Sequence, residues 1–291
     1  MNDKRYFGIL TGAAILFVAL FAGLILTLVA NSAATLGSAG LGFISGLEWN
    51  PVTLKFGAWP FIMGTLLTSF IALAISLPFS LATGMLLGEY VRSSFVAKTA
   101  NIFINLLASI PSVVYGLWGL TAIVPLVQKI ETAAGVPAYG VGILSSSLVL
   151  AIMIIPFMSS MTREVLKNVP DTLRHGAFAL GATRREMMLG VSLPYVKSGI
   201  AAGVLLALGR ALGETMAVTM LIGNATRLPT SLFSIGNTLA SVIASQFNEA
   251  ESDVHRSAMM ELALILLIIT FVINLAGRKI IEKSSGGPNG R

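Results

Sequence analysis

Two uninterrupted apolar runs limit what this chain can become: no residue from Phe7 to Ala30 is charged, and none from Leu262 to Gly277. A helix of about 20 apolar residues is what crosses the roughly 30 Å hydrocarbon core of a bilayer. Charged residues make up only 11% of the 291 positions, whereas soluble domains carry about 25%. The chain therefore lacks the polar surface a soluble globule of its size needs, and it reads as a membrane protein.

Six spans are predicted, at roughly 8–30, 60–88, 101–127, 141–161, 195–222 and 258–277. The first is longer than the apolar stretch of about 7–15 residues in a signal peptide, so it reads as a retained span. The organisation that follows is an N-terminal span with an extracytoplasmic segment (1–58), a five-span core (59–278) with a loop at 162–193, and a disordered cytoplasmic tail (279–291). Of the 19 Lys and Arg residues, fourteen fall on one side of this topology, four on the other, and Arg210 lies inside a span. Basic loops stay cytoplasmic, which puts both termini in the cytoplasm.

Outside the core, residues 31–58 are rich in turn-forming Gly and Pro, and Trp49 and Trp59 are expected at headgroup level. The stretch Leu232 to Phe247, interrupted by Gly236 and Asn237, is predicted to be a re-entrant or interfacial helix. Within the spans, Gly84/Gly88, Gly199/Gly203 and Gly209/Gly213 are spaced for close helix packing. Pro78, Pro111 and Pro156 are expected to kink their helices. Glu261, at the start of the sixth span, is expected to snorkel to the outer surface.

The absence of cysteine excludes disulfides, thiolate metal sites and thiol nucleophiles. His175 and His255 have no metal-ligand spacing, so each reads as a loop or interface residue and no metal site is expected. Phosphate-loop, zinc-hydrolase and nucleophile-elbow motifs are absent too, leaving no catalytic residues to assign.

The loop at 162–193 has internal grammar. Pro170 suits a helix start; Leu173, Ala177 and Leu180 recur on one face; Gly181 suits a left-handed stop. Thr183 to Glu186 reads as a capping box that opens a second helix, ended near the membrane by Pro194. Phe178 stands beside the apolar stripe in a loop facing water. A partner surface and packing onto the chain's own bundle are equally good readings of that stripe.

In the fifth span, Arg210 and Glu214 are one predicted helical turn apart. They either neutralise each other and set helix packing, or Arg210 lines a path that an oxyanion takes. The cost of intramembrane charge favours the second.

Gly181, Val191, Leu193 and Pro194 resemble the Gly-x9-Ile-x-Leu-Pro frame of binding-protein-dependent ABC importer permeases, although His175-Gly176-Ala177 replaces that family's usual Glu-Ala-Ala. Phe61 to Ser69, Ile110 to Gly119, Gly209 to Asn224 and Thr238 to Ala244 narrow the resemblance to the phosphate-importing permeases, over about residues 50–275. What the resemblance implies is an all-α permease of six transmembrane helices with a coupling-helix loop between spans 4 and 5. Leu173, Ala177, Phe178, Leu180, Gly181, Arg184 and Glu186 would meet a cytoplasmic ATPase dimer, and Arg210 and Glu214 would serve the substrate path. The implied partners are a second homologous permease, that ATPase dimer and an extracytoplasmic phosphate-binding protein. No cofactor is expected on this chain; ATP and Mg belong to the ATPase. Permeases for molybdate or sulfate share the loop frame. An ion-gradient-driven secondary transporter is the rival class, but internal repeats are lacking and the capped loop is unexplained by it.

Overall fold

The computed structural model describes residues 3–40, 42–91 and 94–285. Among the described residues, six helices are long and apolar enough to cross a membrane. The first is α1 (Asp3–Asn31), whose apolar surface is exposed along its length. It lies against the last helix, α13 (Asp253–Ser285). Helix α13 runs past residue 278, so 279–285 are helical where a disordered tail is expected; 286–291 lie outside the described residues.

The centre is a tight pair, α4 (Trp59–Met85) and α7 (Ile143–Lys167). Of the best span window in each helix, 67% is buried in α7 against 28% or less in the others, so α7 is the axle of the bundle. Glycine makes the pairing possible: a Cβ on Gly84 would lie 2.5 Å from Thr162, and one on Gly88 3.1 Å from Leu166. Helix α4 then widens into a π-helical turn, Leu86–Tyr90.

The predicted third span is broken. Its sequence forms α5 (Phe95–Ser109) and α6 (Ser112–Ala133), with Ile110 and Pro111 extended between them. Proline forces this, since it disfavours helical geometry at the residue before it and offers no N–H to an incoming helix. Pro194 does the opposite of what is expected. After α8 (Asp171–Ala179), the short α9 (Arg184–Met187) runs through a π-helical turn, Met188–Ser192, straight into α10 (Leu193–Leu212). Pro194 falls in the first turn of α10, where the looser turn absorbs the missing N–H and no break results. The helix instead ends at Leu212, and α11 (Met216–Leu221) follows a three-residue gap. Against α7, Gly199 approaches Val165 and Gly203 approaches Met161, whereas a Cβ on Gly209 would make only ordinary contact with Asn274 of α13 at 3.7 Å, and one on Gly213 would meet only carbonyls of its own helix.

The opposite end of the bundle is capped by α2 (Ala33–Ala39), α3 (Gly42–Ser45) and a small antiparallel hairpin, β1 (Trp49–Asn50) and β2 (Lys55–Phe56). Trp49 is 6% exposed, which corrects its expected place at headgroup level: its ring packs at 4.8 Å from Phe56 and 4.9 Å from Phe61, and its indole N–H donates to Gln246. Phe56 stacks on a buried His255. Of the predicted interfacial helix only α12 (Leu239–Gln246) is helical, opened by a capping box of Thr238 and Ser241. Gly64 of α4 lets the Asn237 backbone press close, and Thr65 accepts the Leu239 N–H. Glu261 is buried against this layer at 2% exposure instead of snorkelling outward, because its position on α13 falls on the face packed into the bundle.

Candidate functional site

At the end of the bundle carrying the capped loop, Pro170 is the residue before α8, and Gly181 ends the turn after it with φ +84°, a conformation glycine adopts without strain. Thr183 and Glu186 then cap α9 reciprocally, as their spacing predicts. The expected apolar stripe does not fold inward. Leu173 is 40% exposed, Phe178 42% and Leu180 91%, with Ala177 half-buried. Arg184 and Glu186 are exposed as well, although Arg184 reaches the Tyr90 carbonyl at 3.4 Å.

What the loop turns inward is Arg174. Its guanidinium donates to both oxygens of Glu89, at 2.7 and 3.0 Å, with each side chain only 7% exposed. It also donates to Asp171 at 2.7 Å and to the carbonyls of Val169 and Leu166 at 2.6 and 2.8 Å. Burial works against its charge, but the hydrogen bonds and charge of Glu89, joined by Asp171, hold its pKa above the ordinary arginine value. The planar fork of arginine matches this acceptor set as lysine would not. One side chain thus ties α8 to the π turn of α4 and to the end of α7. Sequence reasoning missed both partners, because Glu89 and Arg174 are 85 residues apart. The signal was a lone carboxylate closing an otherwise uncharged span.

The second constellation lies in the membrane. Arg210 occupies the last turn of α10, where the partial negative charge of a helix C-terminus favours a cation. It is exposed on this chain, and its guanidinium carbon sits 5.9 Å from the centre of the Phe157 ring on α7, a distance suited to cation–π attraction. The Tyr115 phenol on α6 is within its electrostatic reach, and donates to the Leu107 carbonyl at 2.9 Å across the α5–α6 elbow. Glu214 does not neutralise it. Because the helix stops at Leu212, the expected helical turn between the two is not formed, and among the described residues they make no ion pair. An exposed guanidinium at membrane depth, free of carboxylate partners, can receive an anion.

Comparison with known proteins bears on the chain as a whole. Residues 80–283 match the family model of the binding-protein-dependent transport system inner membrane component. The chain is 40% identical to the phosphate transport system permease protein PstC of Mesorhizobium japonicum, over 97% of its own length and 91% of the relative's. It is 43% identical to that of Pasteurella multocida, covering 94% and 90%. Among solved structures, a chain of a bacterial alginate ABC transporter superposes with TM-score 0.68 at 15% identity, over 98% of this chain and 96% of that one. A chain of the inward-facing MetNI methionine ABC transporter gives 0.61 at 18%, over 82% and 100%. At such identities these two structures share the fold alone.

Proposed function

We propose, for a chain that belongs to the PstC permeases within the family of binding-protein-dependent transport system inner membrane components, the role of membrane-spanning subunit in an ATP-driven phosphate importer. Inorganic phosphate is supported by relatives that share 40% and 43% of their residues with it over nearly the full chain. The observation that carries the mechanism is the Arg174 clamp: it couples an exposed apolar helix to the ends of the two central spans.

The mechanism follows from that arrangement. Leu173, Phe178 and Leu180 offer a cytoplasmic ATPase dimer a surface that the chain's own bundle leaves uncovered. Motion of the ATPase on binding and hydrolysing ATP is passed through α8 and the buried Arg174–Glu89 pair to α4 and α7. Interiors are close-packed, so such a push is transmitted as movement of whole helices. Within the membrane, Arg210 stabilises a passing oxyanion while the α10 terminus keeps the cation tolerable in the unloaded state. ATP and Mg act on the partner chain. A second permease completes the path, and an extracytoplasmic binding protein delivers phosphate. The basic loops support a topology in which both termini lie on the cytoplasmic side of a bacterial inner membrane.

Arg210→Gln should abolish uptake while the ATPase still co-purifies; normal uptake would remove Arg210 from the path. Charging Leu173 and Phe178 together should prevent co-purification of the ATPase, and retained co-purification would remove α8 from the interface.

A further inference from the structure

Helix α5 carries polar side chains where a lipid-facing helix has none. Lys98, Asn101, Asn105 and Ser109 are spaced i, i+3, i+7 and i+11, which on a helix gathers them along one flank. The neighbouring face, Ala97 with Ala100 and Ile104, is the buried or half-buried side, and α5 packs on α7 and the α4 π turn. Phe103, Leu106 and Leu107 are exposed on the far side, as a lipid contact requires. The polar flank lies between the two. Lys98, Asn105 and Ser109 are exposed, and among the described residues neither asparagine amide has a hydrogen-bond partner in the chain. An amide left bare in hydrocarbon is strongly unfavourable, so this flank meets water or another polar surface.

Its extent identifies what it meets. From Lys98 to Ser109 a helix rises about 16 Å, roughly half the hydrocarbon thickness. The flank ends at the α5–α6 elbow, where the Tyr115 hydroxyl is bound to the Leu107 carbonyl and lies within reach of the Arg210 charge. Arg210 is about 24 Å along α10 from Pro194, which puts it in the outer half of the membrane. The flank and Arg210 therefore cover successive depths, and Tyr115 at the elbow lies between them.

We infer that the α5 flank lines the cytoplasmic half of the translocation path, a wetted track on which the asparagine amides and the Lys98 ammonium conduct an oxyanion from Arg210 to the cytoplasm. Amide N–H groups donate to oxyanion oxygens, while the track's single cation leaves the anion weakly enough held to depart. The inference rests on the permease reading above and adds the inner half of the route to it.

The chain's lack of cysteine makes the test direct. Asn105→Cys, Ser109→Cys, Phe103→Cys and Leu106→Cys are each built into the complete importer, kept only where the ATPase co-purifies, and treated in inside-out vesicles with a membrane-impermeant anionic methanethiosulfonate. Labelling is read on this chain by mass. A thiol must ionise in water to react, so the two flank positions should label roughly ten-fold or more faster than the two apolar ones, and inorganic phosphate should slow them. Equal, slow labelling at all four overturns the inference, because the flank is then dry against lipid or a partner helix. Fast flank labelling slowed by molybdate or sulfate and not by phosphate upholds the track while refuting phosphate as cargo.

Discussion

Replacing Glu89 by Gln tests the mechanical link between loop and spans. The substitution keeps the shape and one acceptor but removes a carboxylate that receives two hydrogen bonds from Arg174, with both side chains 7% exposed. Breaking a buried ion pair from one side typically costs about 3–5 kcal/mol, because the surviving charge stays buried. Arg174 retains Asp171 and the carbonyls of Val169 and Leu166, so the low end, about 3 kcal/mol, applies here. At 1.4 kcal/mol per tenfold, α8 should detach from the bundle roughly a hundredfold more often. Hydrogen exchange on the assembled importer reads this as lost amide protection across Asp171–Ala179, with α4 and α7 unchanged. Uptake per ATP hydrolysed should fall while the ATPase stays bound. Exchanging the pair, Glu89→Arg with Arg174→Glu, should not rescue coupling, since a carboxylate at 174 has no donor for the two carbonyls. Unchanged protection together with unchanged coupling in Glu89→Gln would refute the clamp.

Further substitutions probe other parts of the account. Gly64→Ala would put a Cβ 2.0 Å from the Asn237 carbonyl, so it should unseat α12 and lower the yield of folded protein, which size-exclusion chromatography of the complex measures. Gly181→Ala meets no atom within 4 Å and suffers only from its φ of +84°, costing about 1–2 kcal/mol of local stability; exchange at α8 and α9 should rise modestly, and Gly181→Asn should be milder. Thr183→Ala removes one arm of the capping box at a cost of about 1 kcal/mol, so α9 should fray while uptake persists at reduced rate.

How much of this was legible in the sequence follows from the range of each interaction. The loop grammar is local: Gly181, and Thr183 with Glu186, act within one or two turns and take their expected roles, while Pro170, expected in the first turn, stands one position earlier as the N-cap of α8. Spans are legible because bilayer thickness dictates their length, yet their interiors are not. Pro111 breaks a helix where Pro194 is absorbed, and the difference lies in the backbone before each: Ile110 is extended ahead of Pro111, whereas the π turn Met188–Ser192 leads into Pro194. The Arg210–Glu214 turn failed for a similar reason, since Gly213 ends the helix between them. The clamp joins residues from distant spans, and no local pattern pairs Glu89 with Arg174. Glu261 is buried because it shares the face of α13 whose Ala258, Met259 and Leu262 pack with Trp49, Phe56, Leu239 and Val242, partners that lie far away in the sequence.

The central claim is that this chain carries phosphate through the membrane on energy supplied by another chain's ATP hydrolysis. Proteoliposomes containing the chain with its co-purified partner permease and ATPase, supplied with the binding protein, allow a direct test with radiolabelled phosphate. Uptake should require ATP on the cytoplasmic side and the binding protein on the other. It should vanish in Arg210→Gln without loss of the ATPase. Phosphate accumulation driven by an ion gradient, with the ATPase omitted, would contradict the account.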